Sequence, residues 1–225
     1  MTTPKAALVG LALLCGSLPA VAQDLSRYRK FQLGASLATV TGQTGSEASQ
    51  VKTIQARPAL LQELTWRPQT SRDSEQAESV KEIVFSFFNG QLFRIAASYD
   101  RYETEGLTGN DLVQAISATY GEAVIPPAAG KPLLGVNGEP EVVVARWQNG
   151  QNRFELIQSS YGPSYRLVGV LKDAELSVQN SITAAKRLDD LEAPQREAAK
   201  ALRDAETERL RLEQIRLANK AKFKA

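Results

Sequence analysis

Alternation of apolar and polar residues marks four stretches of this chain as strands. In residues 60–67, Leu60, Leu64 and Trp66 fall on one side of an extended backbone, Glu63, Thr65 and Arg67 fall on the other, and Pro68 ends the run. Residues 80–99 read as a hairpin around Asn89-Gly90. A two-residue turn there pairs Phe88 with Gln91 and splits the apolar residues between the faces. A three-residue loop, Phe88-Asn89-Gly90, pairs Phe87 with Gln91 and gathers Ile83, Phe85, Phe87, Phe93, Ile95, Ala97 and Tyr99 on one face. One coherent buried face is worth about 1.5–3 kcal/mol per large side chain, so the pattern predicts the bulged loop with Gly90 left-handed. A second hairpin is predicted around Asn149-Gly150. A two-residue type I′ turn there places Val143, Ala145, Trp147, Phe154 and Leu156 together. Gly162-Pro163 makes a turn, and residues 165–171 form the last strand.

Other stretches carry the 3.6-residue period. Ser36 is a suitable N-cap for a helix with Leu37 and Val40 on one face, and Gly45 stops it. Residues 47–53 read as a second short helical piece. Thr108 and Asp111 have capping-box spacing before Leu112, Ile116 and Tyr120, and Gly121 closes that helix. Residues 24–31, 69–79 and 123–140 read as a polar lead-in and two loops. From Ala174 onward Ala, Leu, Glu, Arg, Lys and Gln dominate, which predicts a long helix with a break or kink at Pro194. Leu191, Ala198, Leu202, Ala205, Leu212 and Phe223 make a narrow, Ala-rich stripe along it, a weak coiled-coil seam. Arg216, Lys220, Lys222 and Lys224 form a basic tip without an acid.

The order is helix, three strands, helix, three strands. It predicts an α+β domain over residues 23–172, built as two loose repeats of a helix plus a three-stranded antiparallel meander, about 31–100 and 107–172. A charged helical segment, 173–225, follows.

The N-terminus reads as an export signal. Lys5 precedes the apolar run Ala6–Cys15, and Ala20-Val21-Ala22 is the small-x-small site for cleavage before Gln23. Lipidation at Cys15 is the rival reading, but Leu14 stands where a small residue belongs. The expected location is therefore the periplasm or another exported compartment. With residues 1–22 removed, 26 basic residues face 25 acidic ones, so the chain as a whole is not a polyanion binder. The sequence contains no His, and its single Cys and single Met fall within the leader. The processed chain therefore has no disulfide, no thiolate or imidazole nucleophile, and no zinc site of the usual ligands. No cofactor or metal is expected.

The remaining motifs are sparse. Ser49-Gln50-Val51-Lys52 matches the Ser-x-x-Lys spacing of penicillin-binding enzymes, without their Ser-Asp-Asn or Lys-Thr-Gly. Asp100, Glu103 and Glu105 are the carboxylates that a hydrolase reading would use, and a solvated turn is the plainer account. The candidate partner-binding residues are the strand aromatics Trp147 and Tyr165 and the helical Leu202 and Leu212, because aromatic and apolar anchors dominate interfaces. The expectation is a non-enzymatic, exported protein of the bacterial envelope that acts through a protein partner or by self-association of its C-terminal helix. It would not bind nucleic acid and would touch membrane or wall weakly at most. A carboxylate-dependent periplasmic hydrolase, or a scaffold held by the basic tip, is the alternative.

The segment Leu33-Gly34-Ala35-Ser36-Leu37-Ala38-Thr39-Val40 and the Asn89-Gly90 hairpin, within a helix-then-strands layout repeated once, resemble the outer-membrane assembly component BamE and the β-lactamase inhibitor proteins. The resemblance spans at most residues 31–172. It implies a non-catalytic, protein-binding envelope module and transfers no individual binding residue. The C-terminal helix has no counterpart in it, and the chain departs from the lipidation site of BamE.

Overall fold

The computed structural model describes residues 24–68, 79–127, 133–134, 140–159 and 164–222. The expected leader, its Ala22–Gln23 cleavage point, Cys15, and the loop at 69–78 lie outside them. The elements in chain order begin with β1 (Arg27–Tyr28), β2 (Phe31–Gln32) and α1 (Leu37–Thr44). A 3-10 turn (Ala48–Gln50), β3 (Lys52–Gln55), β4 (Leu61–Trp66), β5 (Val80–Phe88), β6 (Gln91–Tyr99) and α2 (Gly109–Tyr120) follow. The chain continues through β7 (Leu133–Leu134), β8 (Pro140–Gln148), β9 (Asn152–Ser159), β10 (Tyr165–Leu171) and α3 (Lys172–Lys222).

The fold is α+β, but its unit is not a three-stranded meander. Strands β3 to β10 form one antiparallel sheet in the order β3-β4-β5-β6-β10-β9-β8-β7. Each half is a helix followed by four strands, and the last strands of the two halves, β6 and β10, pair at the centre. Two strands escaped the pattern. The helical piece expected over 47–53 is the 3-10 turn Ala48–Gln50, and the short, polar, exposed edge strand β3 begins at its end; β7 is a two-residue edge within the expected loop. The lead-in is structured as well: β1 and β2 pair, and Leu25, Tyr28, Phe31 and Leu33 are buried.

Caps hold the helices where predicted. Ser36 Oγ accepts from the Thr39 amide at 3.1 Å, and Gly45 ends α1 in the left-handed region at φ 67°. The Thr108–Asp111 capping box is closed in both directions. No interruption occurs at Pro194, because α3 runs from Lys172 to Lys222 with the proline inside it.

Both hairpins differ from expectation in an instructive way. Phe88 pairs with Gln91 across a two-residue turn, with Asn89 at φ 49° and Gly90 at φ 81°. The register then shifts between Ser86 and Phe87, so that Phe87 opposes Leu92 while Ser86 opposes Arg94. Phe93 is the extra residue of a bulge. The coherent inner face survives as Ile83, Phe85, Phe87, Leu92, Ile95 and Ala97, and Phe93 turns to the other side against Leu61 and Val178. In the second hairpin Gln148 pairs with Arg153, a longer connection than predicted. Asn149 Oδ1 accepts from the amides of Gln151 and Asn152 at 2.9 and 2.7 Å, closing the turn through a side chain and leaving Gly150 out of the left-handed region. A bulge between Val143 and Ala145 sends Val144 to the inner core and Val143 to the outer face, where it was not expected.

The two sheet faces therefore differ. The inner face packs under α1, α2 and the β1–β2 hairpin around Phe31, Phe85, Trp147, Phe154 and Leu156. The outer face carries a smaller apolar layer of Ala96, Ile157, Val168 and Val170. At its edge the first part of α3 covers Leu61, Phe88 and Phe93 with Val178 and Ala174.

Candidate interaction surface

Cross-strand register arranges the outer face in three rows. The first runs Gln148, Arg153, Val170, Arg94, Ser86, Glu63 from β8 to β4. The second runs Arg146, Glu155, Val168, Ala96, Val84, Thr65. The third runs Val143, Ile157, Arg166, Ser98, Glu82. Small apolar side chains, Val168, Ala96 and Val84, fill the centre of the second row, whose β8–β9 end carries Arg146 and Glu155; the other long charged side chains lie on the first and third rows.

Most of those charges are bonded to one another. Arg146 reaches Glu155 at 2.6 Å and Arg166 reaches Glu141 at 2.6 Å. Arg153 donates from Nη2 to both oxygens of Glu175 on α3, at 3.0 and 2.8 Å. Arg67 meets Glu82 at 2.8 Å at the rim. Arg94 is the exception. It is half-buried at the centre of the sheet, and no described side chain lies within ion-pair or hydrogen-bond distance of its guanidinium. Glu63 stands two strands away and accepts from Ser86 Oγ at 3.2 Å. Burial pulls the Arg94 pKa below the ordinary guanidinium value, the charge of Arg166 adds to this, and the fields of Glu63, Glu175 and Glu141 oppose it. Among the described residues the buried Nε groups of Arg153 and Arg166 make no hydrogen bond, although Arg153 Nε stands 3.5 Å from Glu155 Oε1.

A second surface is α3 itself. Val178 and Ser181 are buried against the sheet, Gln55 Nε2 donates to Ser181 Oγ at 2.8 Å, and Arg57 holds both oxygens of Glu192 at 3.0 and 2.6 Å. Beyond Ala193 every residue to Lys222 is exposed except half-buried Ala199. This arm is about 43 Å long at 1.5 Å per residue. Leu202 is 74% exposed, and Leu210, Leu212, Ile215 and Leu217 are likewise open. Its charged pairs are internal, such as Arg211 with Glu208 at 2.7 Å and Arg216 with Glu213 at 3.7 Å.

The expected anchors thus separate. Leu202 and Leu212 are presented on the arm. Trp147 and Tyr165 are core side chains, 1% and 4% exposed, and they do not reach the surface. They share the face of Ala145, Phe154 and Leu156 beneath α2, and the Trp147 indole N–H donates to the Gly121 carbonyl at 3.0 Å, tying the end of α2 to β8. The carboxylates of 100–105 do not converge on a site: Asp100 Oδ1 accepts from the Tyr102 amide at 2.8 Å, and Glu103 and Glu105 point into solvent. Ser49 lies in the 3-10 turn and donates to Glu47 at 3.1 Å, while Lys52 is exposed on β3, so the two do not share a helical turn. Among the described residues no three metal-ligating side chains of the His, Cys, Asp and Glu set gather, and no helix is long and apolar enough to cross a membrane. Lys224 of the basic tip lies outside the described residues; Arg216, Lys220 and Lys222 are exposed.

An apolar cleft of about 550 Å³ opens beside α2, lined by Tyr28, Tyr99, Leu112, Ile116, Tyr120 and Leu167. Burial pushes the Tyr99 and Tyr120 hydroxyls above the usual phenol range, so both stay protonated. Tyr120 donates to the Arg27 carbonyl at 3.0 Å, which anchors the lead-in hairpin.

No family model matches the chain, and neither a curated protein nor a solved structure matches it.

The central strand pairing and the isolated arginine were not visible in the sequence. Arg94 reads there as one polar position in an alternating strand, and its lack of a partner among the described residues depends on where β4, β8 and α3 place Glu63, Glu141 and Glu175.

Proposed function

We propose that this protein is an exported, non-enzymatic component of the bacterial envelope that works by binding another protein, with the α3 arm as its main contact element. The observation that carries this reading is the arm. A helical arm of about 29 residues extends past the sheet without tertiary packing, and it leaves large apolar side chains in water. Leu202 and Leu212, both on the apolar stripe, are exposed there. Export rests on the leader pattern of residues 1–22. The resemblance to BamE and the β-lactamase inhibitor proteins is part of the proposal as a likeness of layout.

The test is removal of the arm. The cut belongs after Ala193, because residues 172–192 cover part of the sheet. The shortened protein is expected to keep the melting behaviour of the full chain while losing self-association in sedimentation velocity or its crosslinks to an envelope protein. Unchanged association and unchanged crosslinking after this cut would overturn the reading.

A further inference from the structure

On the reading that the α3 arm is the main contact element, we infer that it pairs with the arm of a second copy of this chain, antiparallel, about a twofold axis level with Thr207. Charge selects that occupant. Residues 189–208 of α3 carry seven acids and three bases, whereas residues 209–222 carry five bases and a single acid, Glu213. The net charges of the two stretches are therefore −4 and +4. An antiparallel second copy lays each stretch on its opposite, and a parallel one lays like on like. An anionic surface would attract the distal stretch and repel the proximal one.

Side-chain size fixes the register. Positions 198, 202, 205, 209, 212 and 216 follow the alternating steps of four and three that make one seam of a two-stranded coiled coil. With the axis level with Thr207, Leu202 of one copy faces Leu212 of the other, Ala205 faces Arg209, and Ala198 faces Arg216. The two leucines, 74% and 53% exposed on the single chain, cover each other. The alanines leave room for the aliphatic stems of the arginines. The Arg209 guanidinium arrives beside the second copy's Glu206, in place of a loose contact with its own Glu206 at 4.0 Å. Ile215 flanks the seam and comes alongside the second copy's Ala201, while Leu210 and Leu217 lie off it. A parallel pair in register would instead set Arg209 and Arg216 each against its own copy and leave Ala198 and Ala205 facing themselves across voids.

The test uses the processed protein, residues 23–225, which has no cysteine of its own. Sedimentation velocity is expected to show a monomer–dimer equilibrium. Leu202→Gln should weaken it about tenfold at each of the two symmetric contacts, about a hundredfold together, with the melting temperature unchanged. Leu202→Cys and Leu212→Cys proteins, one carrying a mass tag, are then treated with a short bismaleimide, separately and as a mixture. The mixture should crosslink and each variant alone should not, because the two copies' positions 202 lie about 15 Å apart along the axis. A monomer at every concentration, crosslinking within either variant alone, no crosslink in the mixture, or binding to anionic vesicles in place of dimerisation overturns the assignment. A photo-crosslinker at Leu202 in cells separates this claim from the broader one. An adduct with a second copy supports the pairing. An adduct with another protein alone refutes the pairing and leaves the arm reading intact, and the absence of any adduct refutes both.

Discussion

Gly169 is the position where one added methyl group should do most damage. It sits on β10 opposite Phe154 of β9, and the ring of Phe154 lies over it. A Cβ built on Gly169 would meet Phe154 Cε1 at 2.3 Å, Cζ at 2.6 Å and Cδ1 at 2.9 Å. Carbon atoms rest at about 3.5–4.0 Å, so the overlap is about 1 Å and involves a rigid ring rather than the tip of a flexible chain. The ring has nowhere to go. Phe154 is fully buried and stacked on Tyr120 at a centroid distance of 4.6 Å, and Tyr120 is itself bonded to the Arg27 carbonyl. The backbone at Gly169 is not left-handed, so the cost is steric alone. Overpacking of a tight core costs about 1–3 kcal/mol, and the disturbed stack adds about 0.5–1.5 kcal/mol. Gly169→Ala should therefore lose about 2–4 kcal/mol, or roughly 10 °C in Tm for a domain of this size. Urea unfolding followed by fluorescence of Trp66 and Trp147 measures it. Phe154→Leu removes the ring, so the double variant should fall short of the summed single effects by about 1 kcal/mol or more. A Gly169→Ala protein within about 0.5 kcal/mol of the parent, or strict additivity with Phe154→Leu, would refute the reasoning.

Arg94→Met should raise stability by about 1–2 kcal/mol, since a partly buried charge without a partner is replaced by an apolar chain of similar length; a loss of more than about 1 kcal/mol in the same urea assay would show that Arg94 is already satisfied. Ending the chain after Leu171 should cost several kcal/mol, at about 1.5–3 kcal/mol for each uncovered residue among Leu61, Phe88 and Phe93, whereas ending it after Ala193 should leave the melting temperature unchanged; equal effects of the two cuts would contradict the packing described for α3. Thr108→Ala should cost about 1 kcal/mol through loss of the cap on α2. The hydroxyl of Thr108 first, and its amide second, hold the Asp111 carboxyl below its usual pKa. That stabilisation is complete above about pH 3.9, the unfolded value, and fades as pH falls through the folded pKa. The difference between Thr108→Ala and the parent should thus narrow in acid, and a constant gap down to the lowest pH at which both remain folded would count against the capping box.

The parts of this protein legible in its sequence are those closed by bonds over a few residues. Ser36 and Thr108 cap α1 and α2 because a side-chain oxygen reaches an amide three positions on, and Asn89-Gly90 turns β5 into β6 with both residues at positive φ. The composition of residues 174–222 likewise announces a helix wherever it is placed. Tertiary structure decided everything that depends on contacts between distant segments. The bulges at Phe93 and Val144 reverse which face Phe93 and Val143 occupy, and they are set by how Phe85 meets Ile95 and Ala145 meets Leu156. The pairing of β6 with β10, some 70 residues apart, turns two meanders into one sheet. The ion pairs of Arg146, Arg153 and Arg166 lie within β8, β9, β10 and α3, and the pairing of β6 with β10 sets Arg94 beside them with no ion-pair partner among the described residues. A local pattern specifies alternation, but the side of the sheet and the ionic partner of a side chain exist only once remote strands have met.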